Sequence, residues 1–244
     1  MPFSQFFSVL SGRAIKIIAV LSMTIDHIGF ILFPDILWLR YIGRAAFPLF
    51  AFLIAHGCIK TRNIGNYFLR LIAFAVFIQI LWVSLGFIDP TLNPGVNNIF
   101  FTLASGVGAV WLIRTLYSRF AFNDAIDHVF FVLLSFAITF CVATIGGIMR
   151  MDYGMEGILL IASFYAAARL SQKHLAPLVF LAIFNLLISI GIGEFGYQWF
   201  SMLAILFIWM YKDTKQKAHF FEKYAFYIYY PLHFLVLCLI ALLT

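Results

Sequence analysis

The sequence predicts an all-α, polytopic integral membrane protein, a helical bundle of about nine transmembrane helices with a cytosolic N-terminus. Three observations predict it. Apolar residues make up 64% of the 244 residues and charged residues 11%, against roughly 45–50% and about 25% in soluble domains. The apolar residues form continuous runs. Strands of a membrane β-barrel would instead show apolar residues alternating with polar ones. Lysine and arginine gather at every second connection between the runs.

Polar breaks divide the chain into nine predicted spans, because a transmembrane helix needs about 20 apolar residues. The predicted spans cover residues 15–33, 43–59, 66–87, 97–117, 129–148, 154–170, 175–192, 197–211 and 226–243. Nine helices use most of the chain, so residues 1–244 are predicted to form a single transmembrane domain. The composition excludes a soluble enzyme, a disordered chain and a disulfide scaffold.

The distribution of positive charge predicts the orientation of the bundle. With the N-terminus in the cytosol, thirteen of the sixteen lysines and arginines face the cytosol, and Arg40, Arg44 and Arg150 lie outside. This distribution follows the positive-inside rule and also explains the net charge of +6. We therefore expect membrane lipids as partners and no binding of nucleic acid.

Two ionisable residues interrupt the first predicted span. An ionisable side chain near the bilayer centre costs about 2.5–3.5 kcal/mol on insertion scales, so it needs a partner or a task. Asp26 and His27 are adjacent and therefore point about 100° apart on a helix. Arg44, at the outer end of the second span, is predicted to pair with Asp26. A purely structural buried ion pair is the alternative.

The last predicted span opens with a second polar group. Tyr229 and Tyr230 lie about one helical turn before His233, so either tyrosine can hydrogen-bond the imidazole. Pro231 between them predicts a kink. The alternative is that a backbone carbonyl or a tyrosine satisfies His233 in a purely structural role.

Other polar residues open the fourth and sixth spans. Asn98 stands at the start of the fourth span, and Arg150, Asp152 and Tyr153 stand at the start of the sixth. Asp152 also suits the N-cap position of a helix. The three cysteines are scattered with no Cys-x-x-Cys pair, so we expect no metal site.

So many polar groups in lipid favour an active site or a transport site over pure structure. A channel more often repeats one polar stripe along a pore. A secondary transporter more often shows inverted repeats with broken helices near the midplane. Neither pattern is visible in the sequence.

Five sequence blocks extend over almost the whole chain. They are residues 15–19 leading to Asp26-His27-Ile28-Gly29, residues 42–52 around Gly43-Arg44, Asn98-Ile99-Phe100, Asp152-Tyr153-Gly154 with Gly157, and Tyr229-Tyr230-Pro231-Leu232-His233. Together, and in this order, the blocks resemble the TraX family of conjugal-transfer membrane proteins.

The resemblance implies an activity and a location. The family's founding activity is acetylation of the N-terminal amine of the pilin subunit, and a fimbrial assembly protein belongs to the same group. More distantly, the family is similar to integral membrane acyltransferases with a histidine in an early helix. We therefore expect a multi-pass protein of the bacterial inner membrane, with acetyl-CoA as donor and a pilin or fimbrial subunit as acceptor.

The resemblance also implies roles for the polar residues. His27 is the expected general base or transient acyl acceptor, with Asp26 orienting a neighbouring group. Arg44 is expected to stabilise the oxyanion or to pair with Asp26. His233, supported by Tyr229 or Tyr230, is the second candidate for proton transfer. The expected substrate-binding residues are Asn98, Arg150, Asp152 and Tyr153.

Two other functions remain open at the level of the sequence. The first is a non-catalytic membrane factor that escorts pilin or fimbrial subunits during assembly. The second is a small transporter for an acyl donor or a proton-coupled solute. A transporter moves solute across vesicles without forming a covalent product, which separates it from the enzyme.

Overall fold

A computed structural model describes residues 9–88, 95–169, 183, 196–214 and 220–243. The described chain is helical, with no β-strand and two isolated bridges, Leu10 to Tyr211 and Asn97 to Met151. In chain order the helices are α1 (Gly12–Ile31), α2 (Leu37–Gly43), α3 (Ala46–Lys60), α4 (Ile64–Ile88), α5 (Ile99–Arg119), α6 (Ala125–Ile148), α7 (Gly154–Arg169), the 3-10 helix η1 (Tyr197–Leu203), α8 (Ala204–Trp209) and α9 (Phe220–Leu243).

Six helical stretches in the described part are long and apolar enough to cross a membrane, so the chain is a helical membrane protein. Four of them are the single helices α1, α4, α5 and α6. The other two are the stretch Leu37–Lys60, which α2 and α3 form together, and the Ala225–Leu243 part of α9.

The total of nine spans and the cytosolic N-terminus stay predictions. The described part of helix α7 has 16 residues, against about 20 in a full crossing. The apolar helix over the predicted eighth span is short, Gln198–Trp209. The predicted span 175–192 lies outside the described residues except for residue 183.

Side-chain caps fix the starts of three helices. Ser11 accepts a hydrogen bond from the Ala14 amide at 3.2 Å, Asn98 from the Phe100 amide at 3.1 Å, and Asp124 from the Asp127 amide at 3.0 Å. Each bond satisfies an amide that has no partner inside its helix. Because Asp124 caps α6, this helix begins at Ala125, four residues before the predicted start at 129.

The second span also begins earlier than predicted. Helix α2 starts at Leu37, six residues before the predicted start at 43, and a break at Arg44 and Ala45 separates it from α3. Pro48 lies in the first turn of α3, where an amide has no partner within the helix. Proline therefore fits without a kink inside α3.

The chain divides into two compact units. The first unit comprises Met1–Leu53 with Gln172–Thr244, and the second comprises Ile54–Ser171. In the first unit, α1 packs against both α2 and α9, and η1 packs against α2. In the second unit, α5 packs against α4, α6 and α7, and α6 also packs against α7.

Small residues let helices of the second unit approach closely. The Cα of Gly106 on α5 faces Ile161 on α7, where a β-carbon would lie 2.6 Å from the isoleucine side chain. This contact is the small-residue packing typical of helices in membranes.

A buried amide joins α4 and α5. The side chain of Asn98 donates to the Ala75 carbonyl at 2.8 Å and to Gln79 Oε1 at 3.0 Å, and Asn98 is fully buried. Its backbone amide donates to the same Gln79 oxygen at 3.1 Å. The pair is interhelical hydrogen-bond packing, which favours association of helices in lipid.

Replacement of Asn98 by alanine is therefore expected to lower the free energy of unfolding by about 1–3 kcal/mol, because buried partners lose their hydrogen bonds. The measurement is the unfolding midpoint of the purified protein in mixed micelles. Asn66→Ala, at an exposed position of α4, is the control and should change the midpoint little. Equal midpoints for the two variants would contradict the assigned role of Asn98.

Candidate functional site

A buried carboxylate on α1 binds two arginines of the next helical stretch. Asp26 Oδ2 accepts a hydrogen bond from Arg44 Nη2 at 2.5 Å and from Arg40 Nη1 at 2.8 Å. Asp26 is 7% exposed and Arg44 is 9% exposed. The predicted pair of Asp26 and Arg44 is thus present. Arg40 is a third member that the sequence analysis placed in the connection outside the membrane.

The early start of α2 explains the contribution of Arg40. Arg40 and Arg44 are four residues apart, and Arg44 directly follows α2, with its amide bonded to the Arg40 carbonyl at 3.1 Å. Residues at this spacing share one helix face. Two arginines four residues apart, close in sequence to an aspartate inside an apolar span, are the signal that could have identified Arg40 as a second partner of Asp26.

The ion cluster of Asp26, Arg40 and Arg44 carries one excess positive charge, because two guanidiniums meet one carboxylate. Arg40 also lies over the Phe30 ring, with its Cζ 5.0 Å from the centroid, at a distance typical of cation–π contacts. Removing one partner of a buried pair costs more than the pair contributes, because a buried charge is left uncompensated. The cluster is therefore a strong constraint on how α1 meets α2.

Two small residues allow this close approach. A β-carbon at Gly43 would overlap the Asp26 side chain. The hydroxyl of Ser22 donates to the Ile42 carbonyl at 2.7 Å, which satisfies a carbonyl in the last turn of α2. The absence of a side chain at Gly43 is thus a geometric requirement of the ion cluster.

A pair of histidines joins α1 to α9. His27 Nδ1 lies 2.7 Å from His233 Nε2, and His233 Nδ1 lies 2.9 Å from the Tyr229 carbonyl oxygen. The two imidazole planes differ by 8°, and their centroids are 5.0 Å apart. The expectation that a backbone carbonyl satisfies His233 is correct for one nitrogen, and the other nitrogen binds His27.

Two tyrosines surround the histidine pair. The Tyr229 ring lies nearly parallel to His233 at 5.0 Å, and its hydroxyl shares a hydrogen bond of 2.7 Å with Thr24 of α1. Tyr230 presents its edge, with centroids 5.7 Å from His233 and 6.4 Å from His27. The expected bond from a tyrosine hydroxyl to His233 does not form, because both nitrogens already have partners among the described residues.

Asp26 and His27 contact different partners. The Asp26 carboxylate binds the two arginines, and the side chain that hydrogen-bonds His27 is His233. Adjacent residues on a helix point in different directions, so one stretch of α1 serves both groups. Asp26, His27, Arg44, His233 and Tyr230 all lie in the first unit, together with Arg40.

The expected substrate-binding residues lie in the second unit, where three of them form the connection between α6 and α7. The Asn97 amide donates to the Arg150 carbonyl at 3.0 Å, and the Asp152 amide donates to the Asn97 carbonyl at 2.8 Å. The Thr102 hydroxyl donates to the Asp152 carbonyl. Residue Tyr153 directly precedes α7, and Asp152 lies two residues before its first residue, Gly154.

Two residues of this connection have unusual backbone angles. Arg150 has φ of 50° and Tyr153 has φ of 57°, a left-handed conformation that costs non-glycine residues free energy. Such conformations are often found at functional sites. Asn98 differs from these residues, because its amide group binds α4 and leaves no amide hydrogen for a substrate.

Comparison with known proteins identifies the family. Residues 11–241 match the family described as TraX protein. The chain belongs to the TraX family. The resemblance drawn from the sequence blocks is confirmed, and the match includes every candidate site residue from Asp26 to His233.

Two relatives of this TraX family member have similar sequences. A protein of Dichelobacter nodosus named "Probable fimbrial assembly protein FimC, serogroup H1" is 29% identical over 248 residues, covering 93% of this chain and 94% of its own. An uncharacterized protein of Rickettsia prowazekii (strain Madrid E) is 27% identical over 171 residues, covering 70% of this chain and 61% of its own. No solved structure matches the chain.

The close contact at Gly43 predicts the effect of a single methyl group. Gly43→Ala should displace the Asp26 carboxylate from the arginines and destabilise the protein by about 1–3 kcal/mol, the usual cost of overpacking. The unfolding midpoint in mixed micelles measures this cost. Gly12→Ala is the matched control, because a β-carbon there would lie at an ordinary contact distance of 3.8 Å from the Tyr211 ring. Equal midpoints for the two variants would show that the contact imposes no constraint.

Proposed function

We propose that this TraX family protein is a membrane-embedded acetyltransferase. It transfers the acetyl group of acetyl-CoA to the N-terminal amine of a pilin or fimbrial subunit. The observation that carries the proposal is the 2.7 Å contact between His27 and His233 inside two membrane-spanning helices. Ionisable groups that persist in lipid usually serve a function, and a positioned imidazole is the commonest general base.

The acetyl transfer that we propose for the histidine pair requires no oxidant or reductant. The free amine attacks the thioester carbonyl carbon, and a carbon–nitrogen bond forms while the amine proton passes to an imidazole. The tetrahedral intermediate then collapses, the carbon–sulfur bond breaks, and the thiolate of coenzyme A takes that proton. A transient acyl group on His27 is the two-step form of the same transfer.

The ion cluster supplies the electrostatic part of the proposal. Arg40 and Arg44 together exceed the charge of Asp26 by one positive unit, and Asp26 is next to His27 in the chain. A fixed positive charge in a site of low dielectric stabilises a developing oxyanion more strongly than it does in water. We assign this role to the arginine pair, with Asp26 holding both guanidiniums in place.

The location that we propose follows the charge distribution. With the N-terminus in the cytosol of a bacterium, the protein crosses the inner membrane several times and meets acetyl-CoA at the cytosolic face. Lysines and arginines at this face bind the phosphates of coenzyme A. The subunit presents its N-terminal amine from the membrane or from its outer side.

A second function has a specific observation in its favour. The Dichelobacter nodosus relative, which aligns with 93% of the chain, is named for fimbrial assembly. We therefore keep a non-catalytic membrane factor for pilus or fimbrial assembly as the alternative. In that case the polar groups are structural, and histidine variants that fold leave assembly intact.

The decisive experiment uses membranes that contain the protein, a candidate pilin and acetyl-CoA labelled in the acetyl group. We expect label on the pilin N-terminus, read by mass spectrometry, and a roughly 10²–10⁴-fold loss of rate in His27→Ala, the usual contribution of a general base. His128→Ala is the control, because His128 is exposed at the start of α6.

Full activity of His27→Ala would refute the assignment of this residue. The alternative function is supported if wild-type membranes transfer no label while pilus assembly still requires the protein. Correct insertion of every variant is checked by its solubility and monodispersity in detergent.

A further inference from the structure

We infer that the hydrogen bonds around His27 and His233 have a fixed direction, which makes Nε2 of His27 the reacting atom and His233 a positioning residue. The assignment of the protons stands on the geometry of the rings and on the charges that surround them. The catalytic part rests on the acetyltransferase proposed above. The chain of groups from the Tyr229 carbonyl through His233 to His27 is called the imidazole chain below.

The bond to the backbone determines which atoms donate the hydrogen bonds of the imidazole chain. A carbonyl oxygen only accepts hydrogen bonds, so His233 Nδ1, 2.9 Å from the Tyr229 oxygen, must carry a proton. A neutral imidazole has one N–H, which leaves a lone pair on His233 Nε2. His27 Nδ1, 2.7 Å from that lone pair, must then be the donor. His27 Nε2 is left with the second lone pair of the chain.

The charge of the surroundings supports a neutral pair. Asp26, Arg40 and Arg44 already leave one excess positive charge next to His27 in the chain. A further positive charge on either imidazole would lie in a membrane helix without a carboxylate partner among the described residues, and isolated charges in such surroundings are costly. We therefore assign the protons with both imidazole rings neutral.

The geometry of the rings supports a direct bond. The centroid distance of 5.0 Å exceeds the nitrogen–nitrogen distance of 2.7 Å by only the two ring radii, and the planes differ by 8°. The imidazoles are thus nearly coplanar, with the two nitrogens pointing at each other. This alignment is the one that hydrogen bonds prefer.

Contacts at Tyr229 fix the start of the chain. Its carbonyl receives the His233 proton, its ring lies 5.0 Å from the His233 ring, and its hydroxyl binds Thr24 on α1 at 2.7 Å. Thr24 is bonded in turn to the Val20 carbonyl at 2.9 Å. Helix α9 is therefore attached to α1 at both ends of the imidazole chain.

The two histidines consequently have different roles. Both nitrogens of His233 are occupied, so this residue has no lone pair for a substrate proton. His27 Nε2 has no hydrogen-bond partner among the described residues, which leaves its lone pair for the amine proton. When it accepts the proton, His27 keeps its Nδ1–H bond to His233, which holds the ring in place as the orienting residue of a catalytic triad does.

The proton positions can be measured without any activity. Protein labelled with ¹⁵N-histidine is placed in lipid bilayers, and solid-state NMR reports which ring nitrogens are protonated. We expect Nδ1–H and a bare Nε2 on both His27 and His233, assigned by the signals that disappear in His27→Gln and His233→Gln. A proton on Nε2 of His27 would overturn the inference.

Rates of transfer test the positioning role. The amide oxygen of His233→Gln preserves an acceptor for His27 Nδ1, whereas His233→Leu removes it. We expect His233→Leu to lower kcat roughly 10²-fold or more with little change in KM for acetyl-CoA, and His233→Gln to recover at least about tenfold of that loss. Equal rates for the two variants would contradict the positioning role.

The two measurements separate the inference from the proposed function. If NMR finds the expected protons and wild-type membranes transfer no acetyl group, the proposed function fails and the proton assignment holds. If transfer depends on His27 but NMR places the proton on His27 Nε2, the function holds and the inference is overturned.

Discussion

The burial of Asp26 in a membrane helix is the constraint on which the first unit depends. A carboxylate in lipid needs compensating charge, and Arg40 and Arg44 supply it only if residues 37–43 are helical, so that the two guanidiniums share one face. The same contact excludes a side chain at Gly43. The charge of one residue thus determines where the next helix starts and how closely the two helices pack.

The same constraint directs the histidine. Because Asp26 points at α2, the adjacent His27 points to a different side of α1, where it meets His233 of α9. One turn of α1 therefore contributes to two groups. The ion cluster fixes the position of a positive charge, and the histidine pair fixes the position of the lone pair that we infer on His27 Nε2. Fixed charge and a fixed proton acceptor are the two requirements of acyl transfer in a water-poor site, which is why we favour an enzyme over an assembly factor.

The sequence was enough to predict the class of fold and the ion pair of the first unit, because hydropathy and the cost of polar groups in lipid depend on residues close together in the sequence. The pairing of Asp26 with Arg44 followed from that cost alone. Arg40 was missed because it precedes the apolar run of the second span, and only the helical start at Leu37 gives it a partner. The contact of His27 with His233 was not predicted either, since 206 residues separate the two and no pattern in the sequence reports which helices touch.

We propose that His27 and His233 act as one unit, and a comparison of three variants tests this proposal. Acetyl transfer is measured in membranes for His27→Ala, His233→Ala and the double variant. Residues that act as a unit have strongly non-additive effects. We expect the double variant to lose no more activity than His27→Ala alone. If the two losses multiply instead, the histidines act independently and the proposed arrangement of the site is wrong.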